Sequence, residues 1–132
     1  MTGSGVLAGG AAALALVLAA TGAAAQERSV DEIRYVTCDG SRWSAALDGE
    51  WFWHFPSDPE TQAERHQSRN IRYLTWGGGC WNATWDARTR TFFHTPVAGG
   101  AGHPDTILNY EDWRGVRWTA RRQGDEWVVR QP

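Results

Sequence analysis

Hydrophobic and polar positions alternate along most of the chain after residue 32, and a period of two residues predicts β-strands. Turns rich in glycine and aspartate separate the alternating segments, and Asp48-Gly49 is typical of a tight hairpin. Short strands at this spacing predict an all-β fold, a small antiparallel barrel or sandwich of about seven or eight strands. The candidate strands are 33–37, 42–47, 51–55, 71–76, 80–85, 91–94, 116–120 and 127–130.

Three segments depart from this alternation. The sequence Ser57-Asp58-Pro59-Glu60 is a helix-capping pattern and favours a short helix over 58–69. Because Ala63 is the one apolar residue of 60–69, a mobile loop is the equal alternative. The glycine-rich segment 96–105 predicts a loop, and 106–113 predicts a single helical turn. We expect no internal repeat.

The first 25 residues carry no charged side chain and end in Ala23-Ala24-Ala25. A short apolar stretch closed by small residues predicts a secretory signal peptide over 1–25. The alternative is a retained membrane anchor, although Thr21-Gly22 interrupts the apolar run. Residues 26–132 then form one exported domain, periplasmic or secreted, with no membrane span after cleavage.

The chain has two cysteines, Cys38 and Cys80. In an oxidising compartment, two cysteines in a small domain most simply form a disulfide. In the chain-entropy model this bond stabilises the fold by about 4 kcal/mol. The alternatives are a free thiol nucleophile or two metal ligands, but neither cysteine has the spacing of a metal-binding motif.

The charge of the chain narrows the choice of partners. The net charge is −2, whereas a nucleic-acid-binding surface is basic, so no nucleic-acid partner is expected. All 13 basic residues are arginine. Arginine stacks on aromatic rings and forms forked hydrogen bonds with carboxylates. Because the sequence has no lysine, Schiff-base chemistry is excluded.

Nine tryptophans need an explanation in a domain of this size. Alternation along the strands assigns six of them to the core: Trp51, Trp53, Trp81, Trp85, Trp118 and Trp127. The other three do not fit an alternating strand, and tryptophan is enriched at binding hot spots. Trp43, Trp76 and Trp113 are therefore candidates for surface binding.

Signals for catalysis are weak. His54 and His94 each end an aromatic strand, which would make them neighbours at the mouth of a barrel. With the carboxylates of 105–112, such rim histidines would make the protein a small periplasmic enzyme, the alternative function. The sequence contains no zinc-protease motif, phosphate-binding loop or nucleophile elbow. We expect no catalytic residue, no cofactor and no metal; the alternative is a zinc or copper site built from distant histidines.

Two segments carry a resemblance to a known family. The first is Tyr35-Val36-Thr37-Cys38-Asp39-Gly40, and the second runs from Ser68 through Arg72-Tyr73 and the glycines to Cys80-Trp81. Both resemble motifs of the small periplasmic inhibitors of C-type lysozyme. The resemblance implies an eight-stranded barrel with a loop that enters a lysozyme active cleft, although the family's inhibitory lysine has no counterpart. Segments 80–85, 93–94 and 124–130 also look like tryptophan-rich exported bacterial domains of unknown function.

The expected function is non-catalytic binding of a protein or glycan partner through exposed aromatic and arginine side chains. Besides the enzyme, a structural cell-envelope protein without a small-molecule ligand is an alternative. The predicted binding residues are Trp43, Ser68, Arg72, Tyr73, Trp76 and Trp113.

Overall fold

The structure, a computed structural model, describes residues 26–57 and 63–132. The predicted signal peptide, 1–25, and the first part of the predicted helix, 58–62, lie outside the described residues. Within the described residues every regular element is a β-strand, which confirms the all-β prediction. No helix in this part of the chain is long or apolar enough to cross a membrane. The strands are β1 (Arg28–Val30), β2 (Glu32–Val36), β3 (Arg42–Asp48), β4 (Trp51–Pro56), β5 (His66–Ser68), β6 (Asn70–Leu74), β7 (Cys80–Asp86), β8 (Thr91–Pro96), β9 (His103–Asp105), β10 (Ile107–Glu111), β11 (Arg117–Gln123) and β12 (Glu126–Arg130).

The strands form three four-stranded antiparallel sheets. The first sheet has the order β2-β3-β4-β5 and the second the order β6-β7-β8-β9. The third has the order β1-β12-β11-β10, so the N-terminal strand completes it by pairing with the C-terminal strand. The predicted antiparallel strands are confirmed, but the barrel or sandwich of seven or eight strands is wrong. The outer strands β1, β5 and β9 have three residues each, too short to show alternation.

The three sheets repeat one sequence pattern, so the expectation of no internal repeat is wrong. The pattern lies in the hairpins β2–β3, β6–β7 and β10–β11. The first strand of each hairpin carries an aliphatic residue and, two positions later, a buried tyrosine, and the second strand carries Trp-x-Ala. In all three sheets the tyrosine lies opposite the tryptophan in the strand pairing. The paired residues are Tyr35 with Trp43, Tyr73 with Trp81, and Tyr110 with Trp118.

The turn between the first two strands is also repeated. In each sheet a glycine N–H donates to the carbonyl three residues earlier, at 3.0 Å. These glycines, Gly40, Gly78 and Gly115, have φ values of 85°, 89° and 78°, a conformation that residues with a Cβ rarely adopt. Because the turn is the same in every sheet, the tyrosine and the tryptophan have the same separation along the sequence in all three.

Each of these turns is attached to the next sheet. Cys38 in the first turn forms the predicted disulfide with Cys80 at the start of β7. Trp76 in the second turn donates its indole N–H to the carbonyls of Tyr110 at 3.2 Å and Trp118 at 3.1 Å. Trp113 in the third turn donates to the carbonyl of Trp43 at 3.4 Å. One covalent and two hydrogen-bonded links therefore join the three sheets in a closed cycle.

The core lies between the three sheets. The strands β4, β8 and β12 each contribute one buried aromatic ring, and the three rings stack. The ring centroids are 5.9 Å apart for Phe52 and Phe92 and 5.6 Å apart for Phe52 and Trp127. The indole N–H of Trp127 donates to the carbonyl of Ala45 at 3.1 Å, so this buried donor has an acceptor.

Several local predictions need correction. Of the six predicted core tryptophans, Trp85 and Trp127 are buried, but Trp51 is 43% exposed and the others are half-buried. Alternation along β4 is correct, but Phe52 and His54 form its inward face, because a period of two does not say which face is buried. Segment 106–113 holds strand β10 instead of a helical turn. The described part of the predicted helix holds β5.

Candidate functional site

The first two sheets each carry a cluster of one buried tyrosine, one buried histidine and one exposed histidine. The Tyr35 hydroxyl is hydrogen-bonded to Nδ1 of the buried His54 at 3.0 Å, and the His66 ring stacks on His54 with centroids 5.0 Å apart. In the second sheet the Tyr73 hydroxyl and His94 Nδ1 are also 3.0 Å apart, and His103 stacks on His94 at 5.4 Å. The same contacts in two sheets indicate a structural role for these clusters.

Burial keeps the inner histidines neutral. Desolvation, reinforced by the neighbouring His66, lowers the pKa of His54 to about 4. Desolvation is also the main cause of a lowered pKa at His94. Since His94 Nε2 faces the carbonyl of Asp105 at 3.3 Å, the proton of the neutral ring is on Nε2, and Nδ1 accepts from Tyr73. A neutral histidine of this kind holds the tyrosine in place.

The third sheet lacks both histidines. Val129 occupies the position of His54 and His94, and Arg28 on β1 lies opposite Val129 as His66 lies opposite His54. The Tyr110 hydroxyl therefore lacks the histidine partner of its counterparts, and no other described residue replaces it. Burial raises the pKa of Tyr110, so its hydroxyl is protonated and free to donate.

A cavity of about 570 Å³ opens at this altered position. Its wall includes Arg28, Tyr110, Trp118 and Val129, the four residues equivalent to the tyrosine–histidine–tryptophan cluster of the other sheets. Val30 of β1, the adjoining Asp31, the strand β2 and the third turn complete the wall, the last two with Glu32, Ile33, Arg34, Asp112, Trp113 and Arg114. Small-molecule sites in proteins typically have volumes of about 300–1,000 Å³ with an apolar wall and a few convergent polar groups. The volume of this cavity lies within that range, but its wall is more polar than usual, since six of its twelve lining residues are charged.

Asp112 fixes the polar wall of the cavity. Its carboxylate accepts hydrogen bonds from Trp118 Nε1 at 2.9 Å and from Arg114 Nη2 at 3.0 Å, and from the backbone N–H groups of Arg114 and Val116. Desolvation alone would raise the pKa of Asp112, but these hydrogen bonds outweigh it, and the pKa is lowered. The ionised carboxylate therefore holds the indole of Trp118 and the third turn in one arrangement.

Two arginines of the cavity lie over tryptophan rings. The guanidinium carbon of Arg28 is 5.1 Å from the ring centroid of Trp118, and that of Arg34 is 4.9 Å from the centroid of Trp113. Both separations are typical of cation–π contacts. These contacts give two long, exposed side chains a defined position beside the cavity.

Apart from Trp43 and Trp113, the predicted binding residues are not brought together. Trp113 lines the cavity, and its link to the carbonyl of Trp43 brings these two predictions into contact. Trp76 is half-buried and links the second and third sheets. Arg72 is exposed on β6, whereas Tyr73 faces the core beside His94. The Ser68 hydroxyl accepts a hydrogen bond from the backbone N–H of Asn70.

Sequence reasoning missed Arg28, Tyr110 and Val129. The signal that could have found them is the internal repeat. When segments 35–54 and 73–94 are aligned with 110–129, Val129 falls at the position where the other two segments have a histidine. Arg28 is harder to find, because it comes from the opposite end of the chain and reaches the third sheet only through the pairing of β1 with β12.

The predicted meeting of His54 and His94 at a barrel mouth is wrong. The two residues lie in different sheets, and each contacts its own tyrosine and its own second histidine. Among the described residues there is no group of three or more histidine, cysteine, aspartate or glutamate side chains able to hold a metal ion. Comparison of the chain with family models, curated proteins and solved structures gives no match.

Proposed function

We propose that the protein is an exported, non-catalytic binding protein that holds a saccharide unit of a glycan in the cavity of the third sheet. The observation that carries the proposal is the cavity itself, which lies where Val129 and Arg28 stand in place of the two histidines of the other sheets. A cavity of this volume at the position where the repeat changes is suited to one small ligand.

The wall chemistry supports a saccharide. Tyr110, whose hydroxyl has no hydrogen-bond partner among the described residues, can donate to a sugar, and the carboxylates of Asp31 and Glu32 can accept hydrogen bonds from sugar hydroxyls. The indole rings of Trp113 and Trp118 add flat apolar surface, which the less polar face of a sugar ring requires. A periplasmic or secreted location is part of the proposal, and the disulfide is compatible with it.

The test is a titration of tryptophan fluorescence with peptidoglycan fragments and soluble neutral oligosaccharides, in the wild type and in Val129→His. The substituted histidine takes the position that His54 and His94 hold in the other sheets, opposite the equivalent alanine, so this variant is expected to fold and to fill the cavity. The matched control is Arg130→His, which adds a histidine at the neighbouring exposed position. Saturable binding that Val129→His abolishes and Arg130→His retains is the expected result.

Other outcomes would contradict the proposal. Binding that survives in Val129→His would place the ligand outside the cavity. A response to C-type lysozyme, with none to any saccharide, would favour the protein partner that the resemblance implies. If no probe binds, the result would contradict a ligand-binding role for the cavity of the third sheet.

A further inference from the structure

Two guanidinium groups at the cavity have no partner of opposite charge among the described residues. Arg114 is paired with Asp112 and Arg121 with Glu27, but in the described part of the chain neither Arg28 nor Arg34 forms an ion pair. Asp31 and Glu32 line the same cavity without pairing with them. Both arginines are instead held against indole rings, Arg28 on Trp118 and Arg34 on Trp113.

This arrangement prepares the arginines for an anion. A guanidinium that stacks on an aromatic ring through its face keeps its N–H donors free at the edge of its plane. Those donors match the two oxygens of a carboxylate in a forked pair of hydrogen bonds. The stacking also fixes the side chain before the ligand arrives, which reduces the entropy lost on binding.

The fixed carboxylate of the wall does not compete for these donors. Asp112 already accepts four hydrogen bonds, from Trp118, Arg114 and Val116. The cavity therefore combines the guanidinium donors of Arg28 and Arg34 with the Tyr110 hydroxyl. It also holds the carboxylates of Asp31 and Glu32, which can accept hydrogen bonds from hydroxyl groups.

We propose that the ligand is an acidic saccharide, a sugar of the uronic acid class, whose carboxylate is bound by Arg28 and Arg34 beside Trp118 and Trp113. This inference rests on the proposed function and deepens it, because it names the class of sugar. The hydroxyl groups of the same ring face Tyr110, Asp31 and Glu32. A neutral sugar of the same shape leaves both guanidinium groups unpaired and binds more weakly.

The experiment compares a short oligogalacturonate with its methyl ester, which has the same sugar rings but no charge. Calorimetric titration of the wild type is expected to show that the acid binds about tenfold or more tightly than the ester, and that the difference shrinks in high salt. Arg28→Gln and Arg34→Gln should each remove most of this preference. Arg130→Gln, which removes an exposed arginine of β12 outside the cavity wall, should retain it. Near-ultraviolet circular dichroism checks that each variant is folded.

Each alternative result has a distinct meaning. Equal affinity for acid and ester, lost in Val129→His, would overturn the acidic class and leave the proposed function intact. A preference for the acid that persists in both Arg28→Gln and Arg34→Gln would overturn the assignment of these arginines. No binding of either oligosaccharide would overturn the inference, while the neutral saccharides decide the proposed function separately.

Discussion

The indole N–H of Trp113 donates to the backbone carbonyl of Trp43 at 3.4 Å, across the boundary between the third and first sheets. Trp76 makes the corresponding contact from the second sheet to the third, and the Cys38–Cys80 disulfide joins the first to the second. The same position of the repeated turn thus provides all three links. We expect the stability of the domain to depend on each.

Replacement of Trp76 by phenylalanine tests the hydrogen-bonded link. The variant loses the donor shared by the carbonyls of Tyr110 and Trp118, so the free energy of unfolding should fall by about 1–3 kcal/mol. Urea denaturation measures the change. Trp51→Phe is the control: this side chain is 43% exposed, and its replacement should change stability by about 0.5 kcal/mol or less. Equal effects of the two substitutions would contradict a linking role for Trp76.

The covalent link is tested by the double variant Cys38→Ser/Cys80→Ser. The bond spans a sequence separation of 42 residues, and its removal should lower the free energy of unfolding by about 4 kcal/mol in the chain-entropy model. A reducing agent should destabilise the wild type by the same amount and leave the double variant unaffected. A wild type whose denaturation midpoint does not change on reduction would argue against a stabilising bond.

The buried histidines should make the domain sensitive to acid. His54 has its pKa lowered to about 4 in the folded protein, and the pKa of His94 is also lowered, so between pH 6.5 and 4 the unfolded chain binds more protons than the folded protein. Stability is then complete above about pH 6.5 and falls as the pH drops toward 4, with a slope of at most about 1.4 kcal/mol per pH unit for each histidine.

Denaturation midpoints measured across this pH range test the effect. His54→Gln should reduce the slope of stability against pH by the contribution of one histidine. His66→Gln, at an exposed neighbour, should change this slope little, because desolvation and not His66 is the main cause of the lowered pKa of His54. A slope that is identical in the wild type and His54→Gln would show that His54 does not titrate in this way.

Gly102 lies where the chain passes close to β8. A Cβ at this residue would lie 2.6 Å from the carbonyl oxygen of His94 and equally close to the ring of Phe93. Gly102→Ala should therefore destabilise the protein by about 1–3 kcal/mol through overpacking. Gly79→Ala is the matched control, because its Cβ would meet neighbours only at 3.5 Å or more. Thermal melts of both variants check the prediction, and equal melting temperatures would contradict it.

Alternation in the sequence was sufficient to predict most of the longer strands, because side chains of β-strands alternate between two faces. It does not show which face is buried, so the predicted core position of Trp51 is wrong. It also could not detect the outer strands, because three residues such as His66–Ser68 carry no measurable period. The single helical turn predicted around Ile107 failed because the inward Leu108 and Tyr110 are too few to define a period against the polar flanks.

The candidate site was harder to predict than the fold. Of the six predicted binding residues, Trp113 lines the cavity. A tryptophan outside an alternating strand is noticeable by itself. Tyr110 and Val129 become informative only by comparison with Tyr35 and His54 in another sheet. That comparison requires the repeat, whose copies share a few spaced residues and not a continuous segment.

The pairing of β1 with β12 sets the order in which the domain can be completed. During synthesis the first two sheets emerge with all their strands, but Arg28 and Val30 must wait for β12 before they find partners. The proposed site therefore assembles after the first two sheets. A molecule truncated before β12 would lack it, so ligand binding would report that the chain had been synthesised through β12 and had folded.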